Sequence, residues 1–250
     1  MAIIKNMKTK ITATSDLHGT FPLLSKTDIL LIAGDICPVN QSHNQKKQEI
    51  WIINEFLPWV KDQAKHIVFI AGNHDFYFQK LFHNIIEDDL KKILPKNVHY
   101  LRDSMVEING IKIYGTPWTL NFNNWAFMGS EEILENIFTG IPDNIDILLS
   151  HGPAYKFNDI ILKGPYQYHV RPYNHLGSKA LRKHLLRSKP KYFCYGHIHE
   201  CSHTPLIIPH LSEDLQKNGE TISNCVSLLN DDYNLEYLPY EFIIEKEDKL

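Results

Sequence analysis

Short runs of apolar residues, each closed by a polar cluster, recur along this chain. Lys10-Ile11-Thr12-Ala13-Thr14, Ile29-Leu30-Leu31-Ile32, Ile67-Val68-Phe69-Ile70 and Ile147-Leu148-Leu149 predict buried strands, and Tyr192-Phe193-Cys194-Tyr195 predicts a fifth. Helical spacing takes over between them. Ile50, Ile53, Phe56, Leu57 and Val60 predict a helix from Gln48 to Lys61 in spite of Pro58, and further helices are expected over Gln79 to Ile93, Glu131 to Phe138 and Leu176 to Leu186. Asn109-Gly110, flanked by Val106-Glu107-Ile108 and Ile111-Lys112-Ile113-Tyr114, predicts a hairpin with a type I′ turn, so the sheet is mixed. Pro205 to Gly219 is expected to be an irregular, mobile insertion. The whole predicts an α/β chain forming one domain over residues 1–250.

The residues that close the runs carry the chemistry. They are Asp16-Leu17-His18, Gly34-Asp35, Gly72-Asn73-His74-Asp75, Ser150-His151-Gly152 and Gly196-His197-Ile198-His199. Ligands of open α/β sheets collect outside the carboxyl ends of the strands, so clusters in this register converge on one crevice. Aspartate, asparagine and histidine suit two hard-to-borderline metal ions held side by side. Asp16 and His18, two apart on an extended segment, would share a face. Asp35, behind a glycine, is placed to bridge two cations, and Asn73 offers a neutral oxygen that limits negative charge where an anionic substrate must enter. Each cluster has an ordinary reading when taken singly: Asp35 as a helix cap, Asn73 as a turn residue, His197 and His199 as an incidental pair. Their common placement after five strands is what sets them apart. The other histidines of the 14, His169 the least secure among them, are assigned to surfaces, turns or packing, and Cys37 to buried filling.

Composition narrows the partners. A net charge of -3 gives no broad field for nucleic acid or an anionic membrane, so the expected partner is a small molecule. No apolar run reaches the length of a membrane span, and the first residues show no cleavage signal, which predicts a cytoplasmic protein. Four cysteines without a C-x-x-C pair predict reduced thiols. The connection from Pro153 to Asn174 is long and tyrosine-rich and carries Lys163, His169 and Arg171, which predicts a substrate-side loop.

In this order, D-x-H, G-D, G-N-H-D, H-G and G-H-x-H resemble the signature of the calcineurin-like metallophosphoesterases, over Asp16 to His199. Gly34-Asp35-Ile36, the stretch from Asp103-Ser104 to Tyr114-Gly115-Thr116-Pro117-Trp118, and Asp146 to Pro153 look closer to the metallophosphoesterase-domain (MPPED) branch, which resembles the class III cyclic-nucleotide phosphodiesterases. The resemblance implies a four-layer sandwich of two mixed β-sheets flanked by helices. It implies a first metal held by Asp16, His18, Asp35 and His199, and a second by Asp35, Asn73, His151 and His197, with Asp35 as the bridge. Two divalent ions are implied, manganese first and iron, zinc, nickel or magnesium as alternatives. His74 would face the substrate as an imidazolium, with Asp75 orienting its ring. The implied reaction is hydrolysis of a small, nucleotide-like phosphodiester by a metal-bridging hydroxide attacking in line.

Three other readings share these residues: a phosphomonoesterase on nucleotides or phosphoproteins, a nuclease, and a weakly active metal-binding interaction module. Many relatives that cleave dianionic monoesters place an arginine shortly after G-N-H-D/E, and here Phe76-Tyr77-Phe78-Gln79 stands there. An aromatic wall favours the diester. No basic or aromatic track leads away as a nuclease would require. Oligomeric state has no signature in the sequence.

Overall fold

The structure is a computed structural model and describes residues 5–83, 90, 92–161, 175–211 and 217–248. Its first sheet is built from β1 (Lys5–Thr14), β2 (Thr27–Ala33), β3 (Ala64–Ile70), β4 (Val98–Tyr100) and β13 (Tyr240–Asp248), in the order β13-β1-β2-β3-β4. The first four run parallel, and β13 joins the β1 edge antiparallel. The second sheet has the order β11-β12-β10-β9-β6-β5, from β5 (Ser104–Ile108), β6 (Ile111–Thr116), β9 (Ile147–Ser150), β10 (Tyr192–Tyr195), β11 (Leu206–Leu211) and β12 (Lys217–Cys225). It too is parallel inside and antiparallel at both edges. β7 (Thr119–Leu120) and β8 (Met128–Gly129) form a small separate pair.

Side-chain alternation explains the layers. Ile29, Leu31 and Ala33 of β2 point into a core shared with Ile113, Ile147, Leu149 and Cys194 of the second sheet. Leu30 and Ile32 point the other way, onto Ile52, Phe56, Leu57 and Val60 of the first helical layer. The second sheet does the same, packing Leu148, Phe193 and Tyr195 against Leu134, Phe138, Leu181 and Leu185. Strands buried on both faces need apolar residues at every position, which is why β2 reads as a continuous run.

The helices follow the expected intervals with local adjustments. Between α1 (Gln45–Trp51) and α2 (Leu57–Val60) lies a π-helical turn, Ile52–Phe56, in which the Leu57 N–H reaches back to the Ile52 carbonyl. The wider turn accommodates Pro58, which has no N–H to give and would otherwise press on the preceding turn. The helix expected from Gln79 begins earlier, as α3 (Phe76–His83), and part of the remaining interval lies outside the described residues. α4 (Glu131–Phe138) has the expected bounds, capped by Ser130, whose side chain accepts from the Ile133 N–H at 3.4 Å. α5 (Lys179–Ser188) starts later than expected because Ser178 takes the capping position, and it ends at Lys189 in the left-handed region.

One expectation is corrected over most of its length. The described part of Pro205 to Gly219 is no irregular insertion, because β11 and β12 pair antiparallel, Leu206 opposite Ser223 and Ile208 opposite Thr221, and residues 212–216 lie outside the described residues. Pro209 disguised the strand, and it is tolerated because β11 is a sheet edge, where a missing ladder donor costs little. The hairpin at Asn109-Gly110 forms as expected, with φ of 54° and 72°.

Candidate metal centre

All five clusters meet at the carboxyl ends of β1, β2, β3, β9 and β10, where the two sheets abut. Asp35 stands at the middle. Its Oδ1 accepts the His74 backbone N–H at 2.7 Å, which turns Oδ2 toward His151 Nε2 at 3.4 Å, His18 Nε2 at 3.7 Å and His74 Nε2 at 4.0 Å. Asn73 Oδ1 lies 2.8 Å from both His151 Nε2 and His197 Nδ1. On the other side, Asp16 Oδ1 faces His199 Nε2 at 3.5 Å, while its Oδ2 accepts from the Ser15 and Ser227 hydroxyls and both oxygens accept the His197 N–H.

The backbone at this centre departs from ordinary geometry. Asp16, His18, Asp35 and His197 have φ of 53°, 44°, 51° and 73°, in the left-handed region that residues other than glycine, asparagine and aspartate adopt rarely. Asp16 and His18 therefore converge through two reversals of the chain after β1, and not through the strand alternation expected from their spacing. Close approach sets the glycines. A Cβ on Gly72 would lie 2.2 Å from Asp35 Oδ1, and one on Gly196 would lie 2.2 Å from Asp16 Oδ2.

Burial and charge act against each other here. Burial alone would raise the carboxyls, but the imidazoles override it: His199 beside Asp16, and His151 and His74 beside Asp35, hold both carboxyls below their ordinary range. Burial alone would lower the imidazoles, yet Asp35 holds His151 up at about 9 and Asp16 holds His199 up at about 10. His18 and His197, without so close a carboxylate, are pushed down by burial to about 3, and burial lowers His74 as well.

The donor set fits divalent metal. Both ring nitrogens of His18 are buried and have no hydrogen-bond partner, which is costly for a polar group unless something else occupies that space. His151 Nδ1 meets the Ala33 carbonyl at 2.8 Å and His199 Nδ1 meets the Asn230 carbonyl at 3.0 Å. Such tethers fix the tautomer and aim the other nitrogen inward, as carbonyl partners do for metal-ligating histidines. His151 Nε2 then faces two oxygens, of Asn73 and Asp35, with only a proton between them. A cation can take that proton's place. Asp16, His18 and His199 form one close group of potential ligands, His18, Asp35 and His74 another, and Asp16, Asp35 and His151 a third.

The order of these elements, two mixed sheets with the Asp/Asn/His cluster at their shared edge, matches a known pattern: residues 9–201 fit the model of the calcineurin-like phosphoesterases. The chain belongs to this family. It is 30% identical over 213 residues to metallophosphoesterase domain-containing protein 1 of Homo sapiens, a match covering 77% of this chain and 61% of that protein. It is 31% identical over 202 residues to UPF0046 protein T07D4.2 of Caenorhabditis elegans, covering 69% and 46% respectively. The chain thus spans between about half and about three-fifths of the length of these relatives. Among solved structures, TT1561 of Thermus thermophilus superposes with a TM-score of 0.52 at 11% identity, over 87% of this chain and 89% of that one, which shows a shared fold. The family is one of phosphoesterases, and the Asp/His groups of this chain could hold divalent metal ions. Among the described residues no helix is long and apolar enough to cross a membrane.

Two other expectations are corrected by the geometry. No hydrogen bond joins Asp75 to the His74 ring among the described residues. The Asp75 carboxylate accepts the backbone N–H groups of Ile36, Cys37 and Gly72 at 3.2, 2.9 and 2.8 Å, binding the loop after β2 to the loop after β3. Ser42 Oγ, 2.9 Å from His74 Nδ1, is the group that meets that ring. The aromatic wall also differs, because Tyr77 and Phe78 turn into the core and only Phe76 stays near the site. Trp125 and His43 complete it, with Trp125 4.1 Å from the His74 ring and 5.0 Å from His43, and His43 4.2 Å from Phe76. Ser42, Trp125 and the carbonyls of Ala33 and Asn230 were missed, and only Gln48 had a signal: a polar residue on an apolar helix face, buried and joined to the His74 carbonyl and the Tyr77 N–H. Cys37 is buried filling as expected. Lys163, His169 and Arg171 lie outside the described residues.

Proposed function

We propose that the chain is a dinuclear phosphodiesterase acting on a small, nucleotide-like diester. The observation that carries this reading is the position of Asp35 Oδ2, within 3.4 to 4.0 Å of three imidazoles from two sheets. Asp16, His18, Asp35 and His199 would hold one ion, and Asp35, Asn73, His151 and His197 the other. Manganese suits the mixed oxygen and nitrogen donors. Bound there, two divalent ions supply Lewis acidity and neutralise charge on the transferring phosphoryl group.

The chain's own residues supply the rest. If the Ser42 hydroxyl donates to His74 Nδ1, the ring carries its proton on Nε2, the nitrogen turned toward the centre. His74 then acts as a neutral donor to a phosphoryl oxygen or the leaving alkoxide, a different charge state from the imidazolium expected at first. Phe76, Trp125 and His43 offer flat faces to a ring-bearing ester group, and Phe76 stands where an arginine would hold the second charge of a monoester. The test is a pair of rate ratios with one metal. We expect higher kcat/KM for bis(p-nitrophenyl) phosphate than for p-nitrophenyl phosphate, and for a cyclic nucleotide than for its mononucleotide. A preference for both monoesters overturns the diesterase reading.

A further inference from the structure

A second set of potential ligands lies behind the first. Cys201, His203 and Cys225 bring one ligand atom each within 4.8 Å of one another. Cys201 follows the Gly196–His199 turn, whereas Cys225 ends β12, so the cluster joins two segments that are distant in sequence. Both cysteines are buried, at 4% and 1% exposure, and their thiols donate to backbone carbonyls, Cys201 to Ser202 at 3.8 Å and Cys225 to Ile198 at 3.7 Å. His203 stacks on Tyr237 at 3.6 Å, and its Nε2 lies 2.9 Å from the His199 carbonyl.

We propose that Cys201, Cys225 and His203 form a binding site for a borderline-soft divalent cation of the zinc class, separate from the centre at Asp35. The donor chemistry distinguishes the two. The centre at Asp35 offers oxygen and imidazole only, whereas this cluster offers two sulfurs, which prefer softer ions. Tetrahedral zinc places its sulfur and nitrogen ligands roughly 3.4 to 3.8 Å apart, within reach of the present spacing after a small contraction. Two thiolates also balance a double positive charge, so no net charge is buried. Donation from His203 Nε2 to the His199 carbonyl makes Nδ1 the basic nitrogen and supplies the outer hydrogen bond that metal-binding histidines carry. The ion would clip the loop that carries His197 and His199 to the end of β12, close in sequence to Ser227 and its hydrogen bond to Asp16.

Cobalt(II) tests this without reference to activity. The full chain, reduced with a phosphine and stripped by a chelator, is titrated with cobalt and followed in the near ultraviolet, where thiolate-bound cobalt absorbs strongly and cobalt on oxygen and imidazole does not. We expect the band to level off at the amplitude of one thiolate-bound cobalt per chain, to vanish when zinc is added, and to survive Asp35→Asn and Cys37→Ser. It should be lost in Cys201→Ser and in Cys225→Ser. A wild-type chain without the band overturns the proposal, and that measurement needs no variant to fold. A band that persists in both serine variants overturns it too, as does a chain purified without reductant that holds a Cys201–Cys225 disulfide and, once reduced, takes no cobalt on sulfur.

Discussion

The two sheets contribute different chemistry to one site. The first, through the ends of β1, β2 and β3, brings both carboxylates and the amide, Asp16, Asp35 and Asn73, together with His18 and His74. The second brings imidazoles alone, His151 after β9 and His197 and His199 after β10. The ion pairs Asp35–His151 and Asp16–His199 therefore cross from sheet to sheet. Each of the two proposed ion positions draws on both halves, so a cation bound there would also hold the sandwich closed and make metal affinity and folding stability one linked quantity.

Removing the charge on the first sheet's side tests this most severely. Asp35→Asn keeps the shape but takes the shared oxygen's charge, and we expect metal-dependent hydrolysis to fall to background, with metal content falling in parallel by elemental analysis. His74→Ala should separate the halves more finely. It removes a group that faces substrate but is not assigned to either ion, so metal content should hold while kcat falls roughly 10² to 10⁴-fold. Chelation addresses the sandwich itself. Metal at a hundredfold excess over its Kd adds about 2.7 kcal/mol, which for a chain of this size corresponds to about 5 to 10 °C in Tm. We expect calorimetry to show that loss on chelation and its recovery on adding metal back. The smallest effect belongs to Ser42→Ala, which removes one hydrogen bond worth about 1 kcal/mol and should lower kcat a few-fold with KM nearly unchanged.

The sequence showed where the site residues stand because each follows a buried strand, and strand ends are the most legible points of an α/β fold. The layers were legible for the same reason: Ile29 to Ile32 and Ile67 to Ile70 are apolar at every position, as only doubly covered strands are. What stayed hidden depends on backbone atoms and on distant partners. The carbonyls of Ala33 and Asn230 that aim His151 and His199 carry no side-chain signature. Ser42 looked like any loop serine, and nothing in Asn73-His74-Asp75 distinguishes a carboxylate that orients a ring from one that gathers three backbone N–H groups. Pro209 and Gly219 are turn residues by type, and only the edge position of β11 allowed the proline to stand in a strand.

The left-handed backbone at Asp16 and Asp35 limits the ways in which this site can drift. Aspartate, asparagine and glycine tolerate that conformation, whereas alanine or glutamate would strain the turn while also changing the chemistry. Random change that spares the fold is thereby channelled toward Asn or Gly at these two positions. A descendant that lost its activity but kept its architecture would carry those residues there, and the same channel makes asparagine the substitution that separates charge from shape at the bench.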